Sequence, residues 1–293
     1  MNLFLSWLGS VPDFAVPYAL AALGLIIAER SGVLSLGAEG LMLVGALAAI
    51  GCQLALGVTG VSLLVAMISA AVVSVLFAVM VVWLRINQVI AGLALVFFCQ
   101  GLTGLLGTIL GWTNQPVTGA AEWLGQNWVV WATPFIFWGV TAWLMRSASG
   151  LRLRAVGENP QAADAAGISV NGHRFWAIVL GATLIGLAGA FISLLSTKLW
   201  IANMTGGRGW IAIGLVIFAR WSPWRALVGA LLFGCIEALI PQLAAAGVKL
   251  PQYFVLMTPY LVTLLVMIWA ATRQQVQEQP GALGDPFVRE ERK

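Results

Sequence analysis

An all-α, polytopic transmembrane helical bundle is the fold class the sequence predicts, and three observations predict it. Sixty per cent of the 293 residues are hydrophobic and only 9% are charged, whereas soluble domains carry roughly a quarter charged residues. The apolar residues fall in runs near the ~20 residues that a spanning helix needs. Short polar or glycine-rich breaks separate those runs. This length accommodates about 8 to 10 spans, interrupted or re-entrant segments included. It leaves no stretch long and polar enough for a separate soluble domain.

The spans follow in order. Phe14–Ala28 is the first, closed by Glu29 and Arg30, and no basic region precedes it to mark a cleavable signal peptide. Leu36–Leu56 and Val61–Leu84 follow, divided by the Gly57–Gly60 break. Val89–Leu110 carries polar groups: Asn87 and Gln88 at its start, then Gln100 and Thr103 one turn apart on a shared face. A loop rich in Trp, Asn, Gln and Gly occupies Gly111–Asn127. Trp128–Met145 is the fifth span, the polar segment Arg146–Arg174 follows, and Phe175–Ser196 is the sixth. A glycine-rich break, Asn203–Gly209, opens the short apolar run Trp210–Ala219. Ala226–Ala245 and Tyr253–Ala271 complete nine segments. Residues 1–271 thus form one transmembrane domain, with 146–174 as its cytoplasmic segment, and the polar 272–293 reads as a flexible cytoplasmic tail.

Charge sets the orientation. With 146–174 and the tail in the cytoplasm, twelve basic residues fall inside, and only Lys198, Arg208 and Lys249 fall outside. The N-terminus is then outside if nine segments cross, and inside if one short run is re-entrant. The +4 net charge comes from basic residues standing singly at the ends of apolar runs, not from a nucleic-acid groove. Trp112, Trp123, Trp128 and Trp131 read as anchors at the outer interface, and Trp221 and Trp224 at the inner one.

Catalysis finds little support. Cys52, Cys99 and Cys235 lie in apolar segments without a CxxC spacing, and the lone His173 has no ligand partners nearby, so no metal site is assigned. A membrane enzyme would need a nucleophile–base or metal constellation. The sequence has no Gly-x-x-x-x-Gly-Lys-Ser/Thr loop, so an ATP-driven process would need its nucleotide site on another subunit.

The polar residues within the apolar framework point to a solute route. A buried carboxylate faces a cavity or a partner group, which draws attention to Glu39 and to Glu237, the latter mid-span. For Glu237, a structural hydrogen bond and solute contact stand equal. Asn203, Thr205 and Arg208 cluster at the late break. Glycine-broken segments in both halves, Gly37–Gly51 and Gly206–Ile217, suggest a weak internal repeat. Such breaks line polar pathways or permit close helix packing. The candidate pathway residues are therefore Glu39, Asn87, Gln88, Gln100, Asn203, Thr205, Arg208 and Glu237. Amides and hydroxyls suit a neutral, hydroxyl-bearing solute.

The segment Arg152–Ile168 contains a short helix with defined ends. Asn159 is placed to cap it, Pro160 suits the first helical position, and Gly167 suits a left-handed C-cap. By physics alone it is either a surface helix joining two spans or a docking element.

Gly157, Glu158, Asn159 and Pro160, followed by Ala162, Ala163, Ala166 and Gly167, resemble the cytoplasmic coupling loop of ATP-binding-cassette importer permeases. The branch is the one serving ribose-type sugars, nucleosides and branched-chain amino acids. Glu29–Gly40 is similar to the early signature of that branch, and Gly206–Ala212 to its late one. So is the run from Arg220 to Trp224, and the resemblance covers nearly the whole chain. The subgroup it most resembles is the smaller permease of nucleoside importers that use a basic-membrane-protein-type binding lipoprotein.

The resemblance implies a permease subunit in the cytoplasmic (inner) membrane, without catalytic residues or a cofactor of its own. It implies an ATP-binding partner subunit that holds ATP, a second permease subunit in a heterodimer, and an extracytoplasmic solute-binding protein. It implies inward movement of a nucleoside or simple sugar. The Trp-rich Gly111–Trp131 region departs from the family pattern. The alternatives are a stand-alone secondary transporter, which would want intramembrane acids or His in a relay, and a membrane enzyme.

Overall fold

The computed structural model describes residues 3–117, 122–123, 126–245, 247, 257, 261, 264–265, 268 and 279–289. Ten α-helices organise them: α1 (Leu3–Glu29), α2 (Ala38–Leu56), α3 (Thr59–Ala78), α4 (Gln88–Ile109), α5 (Trp128–Arg146), α6 (Ala148–Glu158), α7 (Pro160–Ala165), α8 (Val170–Ala190), α9 (Arg208–Phe218) and α10 (Pro223–Ala245). Helices α3 and α8 each run on into a π-helical turn, Val79–Trp83 and Phe191–Ser196. A two-residue antiparallel ladder, Glu122–Trp123 with Gln126–Asn127, lies before α5. Seven helices among the described residues are long and apolar enough to cross a membrane. The predicted span Tyr253–Ala271 falls mostly outside the described residues.

Helix α8 lies at the centre, packed on α1, α2 and α3. Hydrocarbon offers no hydrophobic drive between helices in lipid, so close approach must come from small residues. The glycines supply it. A Cβ on Gly24 of α1 would strike the carbonyl oxygen of Gly181 on α8, and one on Gly45 of α2 would strike Gly186. Gly189 lies equally close to the Met42 backbone. By contrast, about a third or fewer of the residues of α4, α5 and α10 are buried among the described residues.

Several expectations change. Helix α1 begins at Leu3, about three turns before the predicted Phe14, and carries Pro12 and Pro17 inside it. Its early part is held by the Trp7 indole, which donates to the Cys235 carbonyl at 2.9 Å. The run after the Asn203–Gly209 break forms α9, of 11 residues. At 1.5 Å per residue it is about 16 Å long, roughly half a bilayer core. It is therefore a half-helix that starts within the bundle, and Arg208 at its first position does not lie in an outer loop.

Two assigned membrane anchors are packing residues. Trp112 lays its ring on Gly51, and Trp221 is 6% exposed with its indole donating to Glu29. Trp128, Trp131 and Trp224 remain exposed, as anchors require. Of the predicted tail, the described part, 279–289, is seated against the polar segment between α5 and α8.

Candidate functional site

The break 203–209 is a hub. Its glycines allow left-handed backbone at Gly206 (φ +57°) and Gly207 (φ +87°), which ends one chain direction and starts α9. Glu39, in the first turn of α2, points its carboxylate at this break. Oε1 accepts from the Thr205 hydroxyl and from the Gly207 N–H at 2.9 Å, and Oε2 accepts from the Gly209 N–H at 2.7 Å. A helix N-terminus leaves N–H groups without intrahelical partners and carries partial positive charge. Glu39 satisfies both demands while 1% exposed. It joins the starts of two helices from opposite halves of the chain, both inside the bundle.

Beside it, Arg208 Nη2 meets Glu237 Oε1 of α10 at 2.7 Å, and the Tyr18 hydroxyl of α1 donates to Glu237 Oε2 at 2.7 Å. The two charged side chains are 23% and 16% exposed. Ions in a membrane interior are costly and face a partner or an aqueous cavity; these two face each other and retain some access. On the third side the Gln100 amide of α4 donates to Asn203 Oδ1 at 3.4 Å, on an exposed surface. Six predicted pathway residues, Glu39, Gln100, Asn203, Thr205, Arg208 and Glu237, therefore meet around one seven-residue break.

Two do not. The Asn87 side chain caps α4 by accepting from the N–H groups of Val89 and Ile90. Gln88, 3% exposed, accepts from the Leu34 N–H at 2.6 Å and holds the turn before α2. Gln100 is twelve positions further along α4, so these two lie about 18 Å back along the helix from it. Thr103 is buried and bonds back to the Cys99 carbonyl, so it does not share the Gln100 surface. The sequence offers no sign of Tyr18 as the third member of the ion pair: it is one polar atom in a long apolar helix, 219 positions from Glu237.

The hub is tied to the polar segment 146–174 through α9. Past the end of α9, the Trp221 carbonyl accepts from Arg30 Nε (3.2 Å) and Nη2 (3.1 Å), and the Trp221 indole donates to Glu29. Gly157 of α6 packs directly on the Arg30 carbonyl, with no room for a Cβ. The segment 146–174 thus touches the turn after α1, and that turn touches the end of α9.

Locally the segment folds as its sequence dictates. Asn159 Oδ1 accepts the Ala162 N–H at 2.9 Å, Pro160 opens α7, and Gly167 is left-handed at φ +81°. Ala162, Ala166 and Gly167 are exposed. Ala163 is not: it is 4% exposed and packs with Val156 and Val170, beside Phe287. The outward face of α7 therefore excludes Ala163. Among the described residues no group of three His, Cys, Asp or Glu side chains is placed to hold a metal.

Comparison with known proteins places this architecture. Residues 11–271 match the family described as branched-chain amino acid transport system / permease component. The chain is 34% identical, over 97% of both sequences, to the "Putative glucose ABC transporter permease protein TsgC13" of Haloferax volcanii. It is 29% identical to the "Guanosine ABC transporter permease protein NupQ" of Bacillus subtilis, over 95% of each. It is 30% identical to the "Nucleoside ABC transporter permease protein NupC" of Lactococcus lactis, over 87% of this chain and 88% of that one. The chain belongs to the permease-component family: it is a multi-pass transport subunit of the cytoplasmic membrane, not an enzyme.

Proposed function

We propose that this member of the permease-component family carries a nucleoside or simple sugar inward, driven by ATP hydrolysis on a separate subunit. A second permease subunit completes the pathway as a heterodimer, and an extracytoplasmic binding protein delivers the solute. ATP is held by the partner, which docks on the segment that carries Gly157, Glu158, Asn159, Pro160, Ala162, Ala163, Ala166 and Gly167. Of these, the exposed Ala162 and Ala166 face the partner, while Gly157 and Ala163 seat the segment on this chain.

The observation that carries the reading is the hub at 203–209. It gathers an amide pair, Gln100 with Asn203, and a neutralised ion pair, Arg208 with Glu237. Hydroxyl-rich neutral solutes need donors and acceptors without net charge, and this surface offers them. Gln100, Asn203, Arg208 and Glu237 contact the solute, while Glu39 and Thr205 hold the break in shape. Relatives named for guanosine, nucleosides and glucose support the same solute classes.

The test is ATP-dependent uptake by the reconstituted importer in vesicles, across a panel of nucleosides, pentoses and hexoses. Saturable uptake of one such solute, competed by its class and altered by Gln100→Ala, is the expected result. Uptake that persists without the ATP-binding subunit and follows an ion gradient would return the chain to the secondary-transporter reading.

A further inference from the structure

We infer that the C-terminal segment 279–289 is a second wall of the surface on which the ATP-binding subunit docks, and that its cleft with α6 and α7 receives a basic side chain of that subunit. This rests on the proposal that 146–174 receives the subunit.

The segment is fastened at six points, the first being the Gly281 N–H, which donates to Glu158 Oε2 at 3.3 Å. The Ala282 N–H donates to the Gly157 carbonyl at 2.9 Å, and the Gly284 N–H donates to the Gly32 carbonyl at 3.2 Å. Arg174, at the start of α8, donates from Nη1 to the Asp285 carbonyl at 3.0 Å. Phe287 packs on the small apolar cluster of Val156, Ala163 and Val170. Arg289 pairs with Asp164 of α7 at 3.1 Å. The same few residues therefore touch the turn after α1, both helices of the coupling segment and the start of α8. A wall anchored on every side can bear load; a loose tail would be pushed aside.

Between the two walls lies a cleft of about 390 Å³, with Glu158, Pro160 and Gln161 on one side and Asp285, Pro286 and Val288 on the other. Its lining residue Gln161 is the chain neighbour of the exposed Ala162, which joins the cleft to the proposed docking face. Its exposed rim carries two carboxylates, Asp285 and Glu158, the latter also accepting the Gly281 N–H at 3.3 Å, and among the described residues no Lys or Arg lines it. Arg174 hydrogen-bonds the Asp285 backbone carbonyl and attracts its carboxylate from the buried side, while the Asp285 side chain stays exposed toward the cleft. A paired acidic rim in a small cleft on a docking face suits a long cationic side chain, for which Coulomb attraction and apolar stem burial act together.

The experiment uses the complete importer. In a background without native cysteines, a photocrosslinker is attached through cysteine at Ala162 or at Pro286. Both probes should capture the same ATP-binding subunit. Asp285→Arg should reduce the ATP-binding subunit copurified with folded permease by about tenfold or more, corresponding to about 1.4 kcal/mol, with Asp285→Asn between it and the parent. Capture from Ala162 but not from Pro286, or capture of only the other permease chain from Pro286, overturns the second wall and leaves the coupling segment as the dock. Capture from neither site removes both proposals. Capture from both with no effect of Asp285→Arg overturns the cationic occupant.

Discussion

The Glu39 carboxylate accepts the Gly209 N–H at 2.7 Å across 170 positions of sequence, and through this bond the start of α2 caps the start of α9. The contact is as close as backbone geometry allows: a Cβ on Gly209 would collide with the Glu39 backbone. The break in one half of the chain is thus completed by a carboxylate from the break in the other.

Replacing Glu39 by Gln keeps the volume but leaves one acceptor oxygen where two now serve three donors. Each buried donor left unpaired costs about 1–3 kcal/mol. Glu39→Gln and Gly209→Ala should both lower thermal stability in detergent and the yield of folded protein. Surviving protein should transport with an unchanged half-saturation constant. A changed half-saturation with full stability would return Glu39 to direct solute contact.

Arg208 and Glu237 should behave as a unit. Arg208→Met strands a carboxylate inside the bundle, for which about 3–5 kcal/mol is the fully buried cost; partial exposure places the loss at or below the lower end. The double variant Arg208→Met with Glu237→Leu should be more stable than either single one, measured by unfolding of the detergent-solubilised protein. A double variant whose loss equals the sum of the two single losses would mean the pair is not coupled.

If Glu237 also meets the solute, Glu237→Gln and Glu237→Leu should raise the half-saturation constant by different amounts. Losing one hydrogen bond is worth about 0.5–1.5 kcal/mol and stranding its partner about 1–3, so Leu is the worse. The readout is uptake per folded complex in vesicles. Unchanged half-saturation for every nucleoside and sugar in both variants would leave Glu237 as a structural partner of Tyr18 and Arg208 alone.

Gly167 has φ +81° and open space around it, so only its backbone limits substitution. A β-branched residue there costs more than the roughly 1–2 kcal/mol of an ordinary L-residue in left-handed geometry, whereas Asn visits that region readily. Gly167→Val should uncouple ATP hydrolysis from uptake without loss of membrane insertion, and Gly167→Asn should restore coupling. Normal transport by the Val variant would make α7 a plain connector.

Orientation is open to thiol labelling of intact cells after removal of Cys52, Cys99 and Cys235. A cysteine at the exposed Asn114 should react with an impermeant reagent, and one at the exposed Ala162 should not. Labelling at Ala162 from outside would invert the topology.

What the sequence determined by itself is local. Apolar runs marked the spans, because a bilayer demands them residue by residue. Asn159, Pro160 and Gly167 marked both ends of α7, because a cap bonds within three or four positions. The glycines at 206 and 207 marked the break for the same reason. Tertiary structure decided the partnerships. Glu39 and Glu237 look alike in sequence as acids within apolar surroundings, yet one caps a buried helix start and the other meets Arg208 and Tyr18. Trp112 and Trp221 look like interfacial anchors until Gly51 and Glu29 receive them. Ala163 looks like its neighbour Ala162 until Phe287, more than a hundred positions later, closes over it. In each case the side chain's fate depends on a residue brought near only by helix packing, and hydropathy and spacing carry no record of that pairing.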